Sequence, residues 1–202
     1  MNRYLNEFFS LRCAGDILNV TGSIHNGPKE ITEAMSVRRI LKDFSLQEKM
    51  TYHVLDLCAG NGLLGLLTAF TLPVLSVTSI DIRPRKLNTS GVRNYSYQIK
   101  DLMRDEIEIK PPTIICAIHA CRELAERSIE LYLTNGSAKK LVLMPCCSLK
   151  HYQRPTSQPW ILERVPKSVQ WVWYLAEKAG GVFHEDKSVL SPMNKIIIAE
   201  KD

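Results

Sequence analysis

From Leu57 to Ile80 the chain carries no charged residue, and an aspartate stands at either end of that interval, Asp56 and Asp81. An uncharged run of this length could cross a bilayer as one helix. Gly60-Asn61-Gly62, Pro73 and scattered Ser and Thr break it instead into short elements. His53 to Leu57 reads as an apolar strand, and Cys58 to Gly62 as a glycine-bearing turn. Leu63 to Leu72 reads as a helix stopped by Pro73, and Val74 to Ile80 as a second strand running onto Asp81. Strand, glycine turn, helix, strand and acid is the ligand-binding half of a doubly wound α/β sheet. Each carboxylate falls at or near the carboxyl end of a strand, where such sheets hold their ligands.

Two ligand classes compete for this pattern. Gly60-Asn61-Gly62-Leu63-Leu64-Gly65 matches G-x-G-x-x-G, which nominates a dinucleotide whose pyrophosphate rests on the helix N-terminus. Asp56, four residues before the first glycine, places negative charge where a pyrophosphate must approach. A carboxylate there instead attracts a cationic ligand bearing a sulfonium and an ammonium. The stretch from Asp56 to Asp81 resembles motifs I and II of class I S-adenosylmethionine-dependent methyltransferases, D-h-x-x-G-x-G followed by an acid ending the second strand. That resemblance implies a Rossmann-like methyltransferase fold: a mostly parallel seven-stranded sheet with an antiparallel last strand, preceded by N-terminal helices.

The remaining chain fits such a sheet. Residues 1 to 50 are expected to form a helical extension and residues 51 to 202 the cofactor-binding domain. Helical spacing appears in Met1 to Leu11 and again from Ile31 to Phe44, with Cys13 to Lys29 irregular around the turn signal Asn26-Gly27-Pro28. Asn88 to Tyr95 is a short helix candidate, and Ser96 to Lys100 a third strand ending at Asp101. Thr113 to Ile118 is a continuous apolar run suited to a strand buried on both faces. His119 to Leu133 is expected to be helical, Lys140 to Met144 a fifth strand, and Lys167 to Ala179 a helix stopped by Gly180-Gly181. Val182 to His184 and Lys195 to Glu200 are the last strands.

A second constellation follows strands four and five: Cys116-Ala117-Ile118-His119-Ala120-Cys121-Arg122-Glu123-Leu124-Ala125-Glu126, then Leu143-Met144-Pro145-Cys146-Cys147. It resembles a branch of the same methyltransferases whose fourth strand ends H-x-C-G-x-x-T-D and whose fifth ends P-C-C. That branch includes the eukaryotic tRNA ribose 2'-O-methyltransferase. Arg122, Ala125 and Glu126 depart from it, standing where the branch has glycine, threonine and aspartate, and the zinc-finger spacing of the tRNA enzyme is missing.

The fold would gather Asp56, Asp81, His119, Cys121, Cys146 and Cys147 around one crevice. Three readings of the His and cysteines stand side by side. Cysteine is a small residue often buried after apolar strands. Imidazole can take a proton near neutral pH, making His119 the candidate catalytic group. A metal site built from Cys121, Cys146, Cys147 and His119 or His151 is disfavoured, since adjacent strand residues point to opposite faces.

The resemblance assigns cofactor roles to Asp56, Cys58, Ala59, Gly60, Asn61, Gly62, Asp81, Ile82, Asp101 and His119. Backbone at Gly60 and Gly62 meets the amino-acid part of S-adenosylmethionine. Asp56 holds its ammonium directly or through water, Asp81 the ribose hydroxyls, Asp101 the adenine amino group, and Ile82 the adenine face. The chain lacks N/D-P-P-Y/F after strand four, a signature of many amino-group methyltransferases. A covalent role for Cys146 or Cys147 has only a Pro-Cys context behind it.

Composition narrows the class further. The 202 residues are 45% hydrophobic and 23% charged, ordinary for a globular protein. No signal peptide is expected at the N-terminus, and the six cysteines show no disulfide-framework spacing, which suits a reducing cytoplasm. A net charge of +5 leans towards polyanions. Arg83, Arg85, Lys86, Arg122, Lys150 and Arg154 are expected at the rim, with Tyr152 and Trp160 nearby for base stacking. RNA, tRNA among it, is therefore the expected partner. Methylation of a small molecule or protein, and a non-catalytic partner-binding role, are the alternatives.

Overall fold

Strands one, four and five are apolar without alternation because both of their faces are covered. The computed structural model describes residues 2–47, 51–146, 157, 160 and 163–201. A seven-stranded sheet runs in the order β3-β2-β1-β4-β5-β7-β6. Its strands are β1 (His53–Leu57), β2 (Ser76–Asp81), β3 (Tyr95–Ile99), β4 (Thr113–Ile118), β5 (Ala138–Met144), β6 (Val182–Glu185) and β7 (Lys195–Glu200). Strands β3 to β5 in that order pair in parallel, and β7 inserts antiparallel between β5 and β6. This is the expected Rossmann-like methyltransferase architecture, a parallel sheet with one antiparallel strand.

The pleat sends successive side chains to opposite layers. Val54, Val77, Ile114, Val142 and Ile196 join one cluster, with residues of four helices: α1 (Arg3–Ser10), α2 (Ala14–Thr21), α3 (Gly27–Gln47) and α4 (Leu63–Thr71). Leu55, Ile115, Leu141, Leu143 and Ile197 join the other, with α5 (Glu123–Thr134) and α6 (Lys167–Ala179). Tyr4, Phe8, Ile17, Ile31 and Met35 of the N-terminal helices thus share a core with the sheet.

Local chemistry sets the helix ends. Asn2 Oδ1 accepts from the amides of Tyr4 (2.9 Å) and Leu5 (3.4 Å), capping α1. Pro28 lies in the first turn of α3, where a missing N–H costs nothing. Gly180 closes α6 with φ 66°.

Three expectations need correction. Cys13 to Lys29 is not irregular: Ala14–Thr21 forms α2, and α3 already begins at Gly27. Asn88 to Tyr95 forms no helix; it turns at Ser90-Gly91 and hands Tyr95 to β3. The helix expected from His119 starts only at Glu123, because His119 (φ 59°) and Arg122 (φ 52°) are both left-handed and cannot continue a right-handed turn.

Candidate functional site

The loops after β1, β2 and β4 meet at the carboxyl edge of the sheet, and α3 crosses beside them. Asp56 ends up beneath the first loop rather than in it. Its side chain is 1% exposed, and Oδ2 accepts from the Gly65 amide (3.2 Å) and Ser79 Oγ (2.9 Å). Burial drives its pKa up to about 7, against the opposing pull of those two bonds. Asn61 Oδ1 accepts from the Leu63 amide (3.1 Å), so the amides of Leu63 and Gly65 at the start of α4 are both occupied. A pyrophosphate needs such amides free. The donor set at this helix end therefore does not suit a dinucleotide.

The loop itself holds unusual backbone. Cys58 (φ 56°), Gly60 (φ 57°) and Gly62 (φ 75°) are left-handed. A Cβ at Gly62 would collide with the Tyr95 hydroxyl, while one at Gly60 would meet nothing within 4 Å. The outer side of Gly60 is thus an open cradle. Ala59 is tied to β2 through its amide and the Ile80 carbonyl (3.0 Å). Burial pushes the Cys58 thiol up to about 12, and Asp81 and Asp56 add to the effect, which keeps it neutral and poorly nucleophilic.

Asp81 ends β2 with 6% exposure. Oδ2 accepts from the Gly60 amide (2.9 Å), and Oδ1 from the Arg83 amide (2.9 Å). The glycine loop and the second strand's acid are thereby one unit. Ile82 beside it is 60% exposed, a large apolar side chain open to a ligand's flat face. Asp101 sits in a turn, with Oδ1 accepting from the Met103 amide (2.9 Å) and Oδ2 3.6 Å from Arg104. Carbonyl oxygen of Gly60 accepts from Tyr97 Oη (2.8 Å) and Arg85 Nε (3.3 Å).

His119 faces α3. Its Nε2 lies 2.9 Å from Glu33 Oε1 and 3.2 Å from Lys29 Nζ, and its backbone amide donates to the Met144 carbonyl (2.8 Å). Glu30 on the same helix accepts from Asn61 Nδ2 (2.7 Å). Sequence reasoning missed Lys29, Glu30, Glu33, Tyr97 and Ser79. One signal was legible: Glu33 interrupts the apolar stripe Val37, Ile40, Leu41 and Phe44 at helical spacing, so its carboxylate had to be buried.

The cysteines behave differently from expectation. Cys121 and Cys146 form a disulfide, with Cα atoms 5.7 Å apart. It joins the loop after β4 to the end of β5, next to His119. The spacing of the cysteines hid this, since 25 residues of helix and strand separate them. Among the described residues no group of three or more His, Cys, Asp and Glu is placed to hold a metal ion. Arg83, Arg85, Lys86 and Arg122 are exposed at this edge, and Trp160 is 62% exposed. Cys147, Lys150, His151, Tyr152 and Arg154 lie outside the described residues. No described helix is long and apolar enough to cross a membrane. Two cavities, of about 350 and 440 Å³, lie elsewhere. One opens at the amino ends of β1 and β2, the other between α1, α3 and β6.

A parallel sheet with an antiparallel seventh strand, a glycine loop after β1 and an acid ending β2 define the Rossmann-like class of methyltransferase folds. Residues 28–153 match the methyltransferase domain family, and the chain belongs to it. The match begins at Pro28, so it takes in α3 with Lys29 and Glu33. No curated protein matches the sequence significantly. Among solved structures the fold is similar to magnesium protoporphyrin IX methyltransferase from Synechocystis PCC 6803 with bound SAH. The TM-score is 0.55 at 11% identity, covering 98% of each chain. It is similar too to the plantazolicin methyltransferase BpumL in complex with SAH, with TM-score 0.56, 12% identity, and 98% and 93% of the two chains covered. The sugar N-methyltransferase KedS8 from Streptoalloteichus sp ATCC 53650 gives TM-score 0.54 at 12% identity, over 100% and 94% of the chains.

Proposed function

We propose that this protein transfers a methyl group from S-adenosylmethionine to RNA, with tRNA as the first substrate to try. The observation that carries the cofactor reading is the coupling of Asp81 to Gly60. One carboxylate ends β2, spaces the open glycine cradle, and has oxygens able to accept from two neighbouring hydroxyls. Its occupied helix amides favour a ligand without phosphate. In this reading Asp81 holds the ribose, Ile82 covers the adenine face, and Asp101 meets the adenine amino group. The backbone from Cys58 to Gly62 meets the amino-acid end, with Asp56 acting from beneath by fixing that loop.

When bound, the cofactor supplies an activated methyl on a sulfonium, so alignment of the acceptor provides much of the rate. His119 stands at the same edge as the candidate proton acceptor. The RNA part of the reading rests on exposed Arg83, Arg85, Lys86 and Arg122 and on the net charge of +5.

Two measurements test it. Asp81→Ala should abolish calorimetric binding of S-adenosylmethionine while the circular dichroism spectrum is kept; unchanged binding rejects the cofactor assignment. Retention on immobilised tRNA should fall steeply as salt rises, and Arg83→Ala with Arg85→Ala should weaken it. Absence of retention at low salt moves the acceptor to a small molecule or protein.

A further inference from the structure

Glu33 is a buried carboxylate, 1% exposed, whose Oε1 has no hydrogen-bond partner among the described residues apart from its approach to His119 and Lys29. His119 Nδ1 is also buried without a partner. Two orphaned atoms in one cluster at the carboxyl edge are costly, about 1–3 kcal/mol each when nothing meets them. Their arrangement has an internal logic. Nε2 of the ring stands 2.9 Å from Oε1. Two lone pairs facing each other at that distance repel, so a proton belongs between them, and it is the ring's Nε2–H. Lys29 Nζ, 3.6 Å from Oε1 and 3.2 Å from Nε2, lies alongside and competes for the same ring nitrogen.

We propose that Glu33 is a positioning residue for His119. It holds the Nε2 proton, fixes the ring by a contact from another element, and leaves the Nδ1 lone pair as the proton acceptor of the reaction. This deepens the methyltransferase reading and rests on it. It names the acceptor's chemical class: a hydroxyl, or another group that must shed a proton to become a nucleophile. The acceptor's O–H proton moves to Nδ1 as the oxygen lone pair forms the new bond to the methyl carbon. The carbon–sulfur bond breaks with its electron pair left on sulfur, turning the sulfonium into a neutral thioether. The left-handed backbone at His119 and its amide bond to Met144 hold the ring where α3 can reach it.

Charged groups facing the ring are Lys29 and Glu33 from α3; Glu30 of that helix is engaged with Asn61, and Arg122 belongs to the histidine's own loop.

The test is the ring tautomer, read from long-range proton–nitrogen spectra of the full chain labelled at histidine nitrogen, above the imidazole titration. His119→Gln assigns the signal. The wild type should show the Nε2–H form. In Glu33→Gln Lys29 should capture Nε2, moving the proton to Nδ1. Lys29→Met should keep Nε2–H, and Glu33→Asp should restore it in part. A neutral wild-type ring with the proton on Nδ1, or a Glu33→Gln spectrum unchanged from wild type, overturns the proposal. Amide spectra of each variant report folding. Because the readout needs no methyl transfer, it can fail while S-adenosylmethionine binding stands, and the reverse.

Discussion

Asp56 is the residue whose surroundings most clearly oppose its charge. Its pKa of about 7 comes first from burial, and the nearby Asp81 charge adds to it. The folded chain therefore keeps this proton up to about pH 7, whereas an unfolded chain releases it near pH 4. Between those values the folded state binds more protons, so stability falls as pH rises, and above them it levels off. Asp56→Asn should remove that fall. Relative to the variant, the wild type should lose roughly 2–3 kcal/mol of unfolding free energy between pH 5 and pH 8, measured by urea denaturation. Equal slopes for both proteins would refute this account. Asp56 was legible in the sequence as an acid before the glycine loop. Its inward direction was not, because Ser79, its partner 23 residues away, carries no local sign of that contact.

Helix α4 shows how closely an element can be fitted to the sheet. Gly65 faces β2 and β3, and a Cβ there would collide with Ser79 Oγ, lie 2.9 Å from Tyr95 Cε2 and 3.2 Å from Asp56 Oδ2. Gly65→Ala gains up to about 1 kcal/mol of helix propensity but must push two elements apart, at about 1–3 kcal/mol. The expected outcome is a lower Tm, by a few degrees, in a thermal scan; a rise would mean that the helix shifts freely. Elements with unbroken apolar runs or clear helical spacing were readable beforehand: β1, α4, β2, β4 and α6 fall close to their expected places. Short pieces governed by distant contacts were not. The stretch around Asn88 lacks the apolar face that would make a helix worth forming. Helix α2 is held by Ile17 and Ala14 packing into the core, which no eight-residue window reveals.

At the scale of the whole molecule, two long-range ties close the structure around its edge. One is the Cys121–Cys146 disulfide, spanning a separation of 25 residues. In a chain-entropy account it stabilises by about 3.5 kcal/mol, so Cys121→Ser with Cys146→Ser should shift the denaturation midpoint downward by a comparable amount. An unchanged midpoint would show that the bridge adds nothing to the folded state. The other tie joins the two ends of the chain. Asp186 accepts from Ser36 Oγ (2.6 Å), Tyr4 Oη and Arg3 (3.2 Å), and the Leu190 amide donates to Thr32 Oγ1 (3.0 Å). Burial alone would raise the Asp186 pKa, but Ser36, Tyr4 and the Ser188 amide outweigh it and the net shift is downward. Helix α3 is therefore pinned from behind by residues made near the end of synthesis. Lys29 and Glu33 leave the ribosome early, yet they find their final places against His119 only after the segment around residue 190 has emerged. A nascent chain carries the cofactor loop in full while the acid–imidazole pair is still unassembled, so chemistry waits for the last strand.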